Sequence, residues 1–130
     1  MFQGGHRMPQ NEVVIKSADI PTFEPAPGSR SWLLTGEEHG LGMCLIVSEY
    51  PPGAETPSHR HPNASAIVVY EGHGVFTVGE NEVAAEAGDI VVVPAKAWHS
   101  FRNDGDGWLR LVGADEGSRH DAEFAAPGPT

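Results

Sequence analysis

The stretch HRHPNASAIVVYEG, residues 59–72, decides how the rest of the chain is interpreted. It joins two histidines, spaced two apart, to the β-branched run Ile67–Val69, which favours an extended strand. Residues i and i+2 of a strand face the same side, so His59 and His61 point together and Arg60 points away. If that side faces the interior of a sheet structure, the two imidazoles converge and could bind a metal ion.

A second stretch, GDIVVVPAKAWHSFRN at residues 88–103, supplies a third imidazole. An apolar strand is followed by a turn at Pro94 and by the start of another strand. The same alternation places His99, Phe101 and Asn103 on one face of that strand. The sequence therefore offers three histidines from two distant strands to one interior.

Turn-forming residues divide the chain into short apolar segments. Sixteen glycines and eleven prolines are spread along the 130 residues, and this spacing is typical of a sandwich or barrel of about ten short strands. The predicted strands are Glu12–Lys16, Ser31–Thr35, Leu41–Tyr50, Thr56–His61, Ser65–Tyr70, Val75–Val78, Glu82–Ala85, Ile90–Val93, Trp98–Asn103 and Trp108–Val112. We expect one all-β domain over residues 12–115, a flexible N-terminal segment at 1–11 and a flexible C-terminal tail at 116–130.

Composition excludes several classes of function. Eight basic and eighteen acidic residues give a net charge of -10, without a cluster of Lys and Arg. Nucleic acid and anionic membranes are therefore not expected partners, because binding phosphate needs clustered positive charge. The single cysteine, Cys44, leaves no intrachain disulfide and no cysteine-based zinc site. The start of the chain lacks the pattern of a signal peptide, and we expect a cytoplasmic protein.

The spacing of these residues resembles the two motifs of the cupin superfamily, over about residues 42–113. The first motif is matched by Gly53, His59, His61 and Gly72, with Ser65 where the family places a glutamate. The second motif is matched by Gly88, Pro94, His99 and Asn103, with Lys96 in place of a glycine. The resemblance implies a small double-stranded β-helix, or jelly-roll barrel, of antiparallel strands. It also implies one divalent metal ion held by His59, His61 and His99.

Ser65 is the departure that matters most, because it removes one metal ligand. Glu55 and Glu71 are too far along their strands to replace it, whereas the side-chain oxygen of Asn63 could bind weakly. We therefore expect three histidines plus solvent around the ion, which is typical of a catalytic site. The ion keeps its full +2 charge and should attract an anionic, bidentate oxygen ligand. Imidazole ligands suit Fe, Ni, Zn or Cu, and Mn also remains open.

Two classes of function remain open. Cupins with histidine-only sites include oxygenases that cleave dicarbonyl-type substrates, so the resemblance implies a dioxygenase-like enzyme for a small dicarbonyl or hydroxy acid. The alternatives are a non-redox isomerase, cyclase or lyase, and a binding protein without catalysis. The non-redox alternative needs a general base, and the acids expected near the pocket all fall at predicted turns.

The other predictions concern the cavity, the surface and assembly. Phe101 shares the face of His99 and is the best aromatic candidate for the ligand pocket, with Ser65 and Asn63 as further pocket candidates. His6, His39 and His120 are expected at the surface or in the tail. A homodimer is expected, because the open edges of a small barrel need cover.

Overall fold

The computed structural model describes residues 14–125, which form eleven strands and two short 3₁₀ turns, Ser17–Asp19 and Gly36–Glu38. The strands are β1 (Thr22–Phe23), β2 (Arg30–Leu34), β3 (Met43–Tyr50), β4 (His59–Arg60), β5 (Ser65–Glu71), β6 (His73–Val78), β7 (Asn81–Glu86), β8 (Ile90–Val93), β9 (His99–Arg102), β10 (Leu109–Glu116) and β11 (Glu123–Phe124). Within these residues no helix is long and apolar enough to cross a membrane.

The strands form two antiparallel sheets that face each other. The larger sheet has the order β1-β2-β3-β10-β5-β8, and the smaller one has the order β11-β4-β9-β6-β7. Consecutive strands pair in some places, such as β6 with β7, but other neighbours come from distant parts of the chain, as in β10, which pairs with both β3 and β5. This arrangement confirms the predicted all-β jelly-roll barrel.

Alternation along the strands builds the core between the sheets. Inward positions of the larger sheet include Val69 of β5, Val93 of β8 and Leu111 of β10, which are at most 2% exposed. Phe76 of β6, 1% exposed, meets them from the smaller sheet. Burying side chains of this size contributes about 1.5–3 kcal/mol each.

Several strand boundaries differ from the sequence prediction. Residues 14–16 of the predicted strand Glu12–Lys16 are irregular, and its first two residues lie outside the described part of the chain. The predicted strand Thr56–His61 shortens to β4, since Pro57 has no N–H for a ladder. At the other extreme, the predicted strand Trp108–Val112 continues as β10 to Glu116, because β3 and β5 pair with it on both sides.

Part of the segment predicted to be a flexible tail lies on the barrel. Gly117, with φ of +89°, turns the chain after β10, and β11 then pairs with β4. The Arg60 side chain donates to the Glu123 carboxylate at 2.9 Å across this pair. Residues 116–125 thus pass over the strand that carries His59. The expected domain limits, residues 12 and 115, remain a prediction. Residues 1–13 and 126–130 lie outside the described part of the chain.

Candidate metal centre

The interior of the barrel changes from apolar to polar along its strands. On β10 the inward positions run from Leu109 through Leu111 and Gly113 to Asp115, all of them buried. The paired strand β5 runs in the opposite direction, so its inward Ser65 lies across from Asp115. The polar residues of the two strands are therefore collected at one end of the barrel, which we call the open end.

Three histidines meet at the open end, as their spacing predicted. His59 and His99 are paired across β4 and β9, and their ring centroids lie 4.2 Å apart. The ring of His61 lies 5.1 Å from that of His59 and 5.2 Å from that of His99. One nitrogen from each ring falls within 4.8 Å of the other two.

Backbone carbonyls orient all three rings. A carbonyl oxygen only accepts hydrogen bonds, so each Nδ1 carries the hydrogen and each Nε2 keeps its lone pair. The Nδ1 groups donate to the carbonyls of Pro57 (from His59, 2.9 Å), Asp121 (from His61, 2.8 Å) and Ala97 (from His99, 3.0 Å). This is the tautomer in which Nε2 is free to ligate a metal ion.

Burial keeps two of the rings neutral. It lowers the pKa of His59 to about 4, against the opposing hydrogen bond to Pro57 and with the help of the neighbouring histidines. Burial also lowers the pKa of His99. Because a metal ion requires the neutral imidazole, these two ligands need not lose a proton near neutral pH.

Lys96 shapes the turn that precedes His99. Its φ of +67° lies in the left-handed region that favours glycine, the residue that the cupin motif places there. The Lys96 N–H donates to the carbonyl of His61 at 2.8 Å. The turn therefore keeps the geometry of the motif despite the lysine, and it ties the strand start of His99 to His61.

A carboxylate lies beside the position where the family motif has its glutamate. Ser65 is 6% exposed, and its Oγ has no partner of hydrogen-bond geometry among the described residues. Opposite it, Asp115 is 7% exposed and accepts a hydrogen bond from Nδ1 of His120 at 3.0 Å. Burial raises the pKa of Asp115, but His120, nearby Ser65 and His61 together lower it by more, so the net shift is downward.

Asp115 and His120 were missed in the sequence. His120 was expected in a surface tail, yet its ring centroid lies 4.8 Å from that of His61. The acids of the pocket were expected at turns, yet Asp115 is an inward residue of β10. The missed signal is the alternation of β10, whose inward parity reaches Asp115 once the strand is continued past Val112. His61, Asp115 and His120 also have ligand atoms within 4.8 Å of one another.

A cavity of about 320 Å³ opens onto these groups. Its polar end holds the three histidines, Ser65, Asp115 and His120, and its body is mainly apolar, with Ile46, Ile67, Phe101 and Leu111 in the wall. Of the predicted pocket residues, Ser65 and Phe101 line the cavity. Asn63 lies outside it, with its side-chain amide against Gly117.

Comparisons with known proteins identify the family of the chain. The family model "Cupin domain" matches residues 46–114. A gentisate 1,2-dioxygenase of Ralstonia sp is 32% identical over 116 residues, which are 77% of this chain and 31% of that protein. A 1-methylthio-D-xylulose 5-phosphate methylsulfurylase of Rhodospirillum rubrum is 32% identical over 118 residues, which are 88% of this chain and 73% of that protein. The chain thus spans about a third of the first relative and almost three quarters of the second.

Solved structures agree on the fold. A cupin 2 conserved barrel domain protein from Rhodopseudomonas palustris superposes with a TM-score of 0.70 at 22% sequence identity. The superposition covers 82% of this chain and 77% of that one. At this identity the likeness concerns the barrel alone.

Proposed function

This chain belongs to the cupin family, and from that premise we propose that it is a metal-dependent, dioxygenase-like enzyme for a small oxygen-rich molecule. His59, His61 and His99 hold one divalent ion, and a dicarbonyl or hydroxy acid binds beside it. Relatives that include a gentisate dioxygenase support this choice. The observation that carries the proposal is the convergence of three imidazoles whose Nδ1 atoms are all hydrogen-bonded to backbone carbonyls.

The donor set fits a divalent transition metal. One ring nitrogen from each histidine lies within 4.8 Å of the other two, and a group of three imidazoles is a donor set that divalent transition metals bind. When bound, such an ion would bind an anionic substrate and activate it, through redox or Lewis-acid chemistry. Fe, Ni, Zn, Cu and Mn remain the candidates.

The protein's own contribution is to position a substrate and exclude water. Ile46, Ile67 and Leu111 cover the body of a bound molecule, and Phe101 closes the wall next to His99. A cavity of about 320 Å³ is at the lower end of the range for small-molecule sites. The histidine end then receives the oxygen atoms of the molecule, since the rest of the wall is mostly apolar.

A non-redox lyase or transferase is the second candidate. The Asp115–His120 pair places a polar group with a free nitrogen in the cavity, which the sequence alone did not provide. A methylsulfurylase among the relatives supports this alternative. Binding without catalysis is the third reading, and it shares the same metal site.

Metal analysis followed by oxygen uptake separates these functions. The protein purified from its native host is analysed for metals and then offered small diketones and hydroxy acids under air. Bound Fe or Cu with substrate-dependent oxygen uptake supports the dioxygenase. Tight Zn without oxygen uptake favours the non-redox alternative. Metal-free protein that fails to bind any added divalent ion rejects the proposal.

We also propose a C2 homodimer and a cytoplasmic location. Strand β8 is at one edge of the larger sheet, and its outward Ile90 and Val92 are 62% and 67% exposed, which favours cover by a second copy. Cys44 is buried as a free thiol, which is consistent with a reducing compartment. Light scattering at micromolar concentration tests the dimer, and a mass near 13.9 kDa would reject it.

A further inference from the structure

We propose that His120 determines ligand specificity by accepting a hydrogen bond from a hydroxyl group of the bound molecule, so that the site selects hydroxy acids. The inference rests on the proposed function, because the carboxylate of the ligand must face the three-histidine centre. It names the chemical feature that the cavity recognises beyond the metal ion.

Asp115 sets which nitrogen of His120 is free. Nδ1 of His120 lies 3.0 Å from Oδ2 of Asp115. A carboxylate only accepts, so Nδ1 carries the hydrogen and Nε2 of the neutral ring presents a lone pair. Both side chains are largely buried, at 17% and 9% exposed, so the pair is not a loose surface contact. Nε2 of His120 is therefore available to accept a hydrogen bond from a ligand.

Two other hydroxyl groups of the cavity wall already have partners. The Ser48 hydroxyl shares a hydrogen bond of 2.7 Å with Ser31, and the Thr56 hydroxyl accepts the Phe101 N–H at 2.9 Å. Among the described wall residues, His120 makes its side-chain hydrogen bond through Nδ1, and the Ser65 Oγ has no partner. A buried polar group that keeps an open valence next to a cavity is suited to bind a ligand.

His120 is better placed beside the metal centre than within it. Its ligand atom groups with those of His61 and Asp115, but not with the three-histidine group. His61 has one free nitrogen and can serve only one ion, so the two groups compete for it. The group of His59, His61 and His99 has all three Nδ1 atoms satisfied by carbonyls, whereas Nδ1 of His120 is held by a potential ligand, Asp115.

These placements define a ligand class. A carboxylate meets the divalent ion, a neighbouring hydroxyl donates to His120, and an apolar body lies against Ile67, Phe101 and Leu111. Small aromatic or aliphatic 2-hydroxy acids satisfy all three requirements. Their deoxy counterparts keep the carboxylate and the body but lose the donor.

Calorimetry on the zinc-loaded protein tests this assignment. The probes are two matched pairs: salicylate with benzoate, and mandelate with phenylacetate. The ratio of affinities within each pair is measured in the native chain and in His120→Phe. The matched control is His73→Phe, because His73 has a similar contact to Asp104 at 3.1 Å but lies on the surface. A direct contact between the ligand hydroxyl and the metal would contribute equally to the affinity ratio of the native chain and of the variant. Comparing the two ratios therefore cancels that contribution.

We expect His120→Phe to lower the preference for the hydroxy acid about three- to tenfold in both pairs, as for the loss of one hydrogen bond. Zinc content should not change, and His73→Phe should keep the native ratio. Asp115→Asn gives a second measurement: an amide can donate or accept, so the ring loses its fixed tautomer and the preference falls.

Three results would overturn the inference. An unchanged ratio in His120→Phe rejects it while zinc binding leaves the proposed function intact. If His120→Phe loses as much zinc as His99→Ala does, His120 is a metal ligand, and the inference is also rejected. Absence of zinc binding in the native chain rejects the proposed function, and the inference falls with it.

Discussion

The two ends of the barrel are built from the same strands, but they differ in whether their buried polar groups have hydrogen-bond partners. At the closed end, near Tyr50 and Leu109, the side chain of Asn103 is 1% exposed. It donates to the carbonyls of Tyr50 and Gly107, and its oxygen accepts the N–H of Gly105. At the open end, the Oγ of Ser65 has no partner among the described residues, and the histidines keep free nitrogens.

This difference locates the function. Unsatisfied polar groups in a protein interior cost about 1–3 kcal/mol each, so they are rare where only stability matters. The closed end satisfies Asn103 completely and serves the fold. The open end holds several groups with spare capacity around one cavity, and that capacity is available to a metal ion and a ligand. The five predictions below test this division.

The largest effect is expected at the closed end. Phe76 is 1% exposed and packs against Phe101 with ring centroids 5.3 Å apart. Phe76→Ala should lower the free energy of unfolding by about 3–5 kcal/mol, because it leaves a cavity. Urea denaturation measures the loss. Zinc stoichiometry of the folded variant should not change, and a loss below about 1 kcal/mol would show that the closed end is not the stabilising core.

At the open end, His99→Ala is expected to abolish the stabilisation that comes from metal binding. The metal should raise native stability by about 2.7 kcal/mol at a hundredfold excess over Kd, since only the folded state binds it. The variant should lose this increment. Thermal melting with zinc and with chelator compares both proteins. Equal melting temperatures of the native chain in zinc and in chelator would contradict the metal site.

Ser65→Glu tests whether residue 65 faces the metal site at the open end. A carboxylate there should add a metal ligand and raise metal affinity by about 1.5 kcal/mol, or roughly tenfold, while weakening anionic ligands. It also places a second acid opposite Asp115, so the metal-free variant should be less stable. Zinc calorimetry and melting in chelator measure the two effects. The control Ser65→Gln adds the bulk without the charge. Equal or weaker zinc affinity in Ser65→Glu would contradict an inward carboxylate at this position.

An acid-dependent effect is expected on the outer face of the closed end. Hydrogen bonds from Arg110 and then Arg30 outweigh burial and lower the pKa of Glu49 below its usual 4.5. Glu49 therefore adds stability above pH 4.5, which is lost as the pH falls through its folded pKa. Glu49→Gln should remove this component, worth less than about 1 kcal/mol because solvent screens the contacts. Urea midpoints between pH 3 and pH 7 test it, and parallel curves for both proteins would contradict it.

The smallest effect is expected at Lys96. Replacing a lysine in the left-handed conformation by glycine removes a steric cost of about 1–2 kcal/mol. The greater backbone entropy that glycine loses on folding costs about 0.5–1 kcal/mol. Lys96→Gly should therefore raise the free energy of unfolding by about 0.5 kcal/mol and keep zinc affinity. Lys96→Ala is the control, since it removes the charge but not the strain. A destabilised glycine variant would show that the lysine side chain itself supports the turn.

Much of this division can be derived from the sequence. The alternation of His59 with His61, and of His99 with Phe101, is a local property of strands, so their shared faces follow from spacing alone. Repeated glycines and prolines indicate many short strands, and the motif spacing identifies the barrel. These features survive small errors in strand boundaries because side-chain parity within a strand does not depend on where the strand ends.

Tertiary structure alone decided what surrounds the three histidines. Asp115 faces the cavity because β3 and β5 pair with β10 beyond Val112, and no local pattern marked that continuation. His120 enters the same cavity because Gly117 turns the chain and β11 pairs with β4, a contact between residues about sixty positions apart. The sequence by itself thus determined the strand period, the barrel and the three imidazoles. Long-range pairing determined the carboxylate and the fourth histidine, since such contacts depend on which strands become neighbours rather than on spacing along one of them.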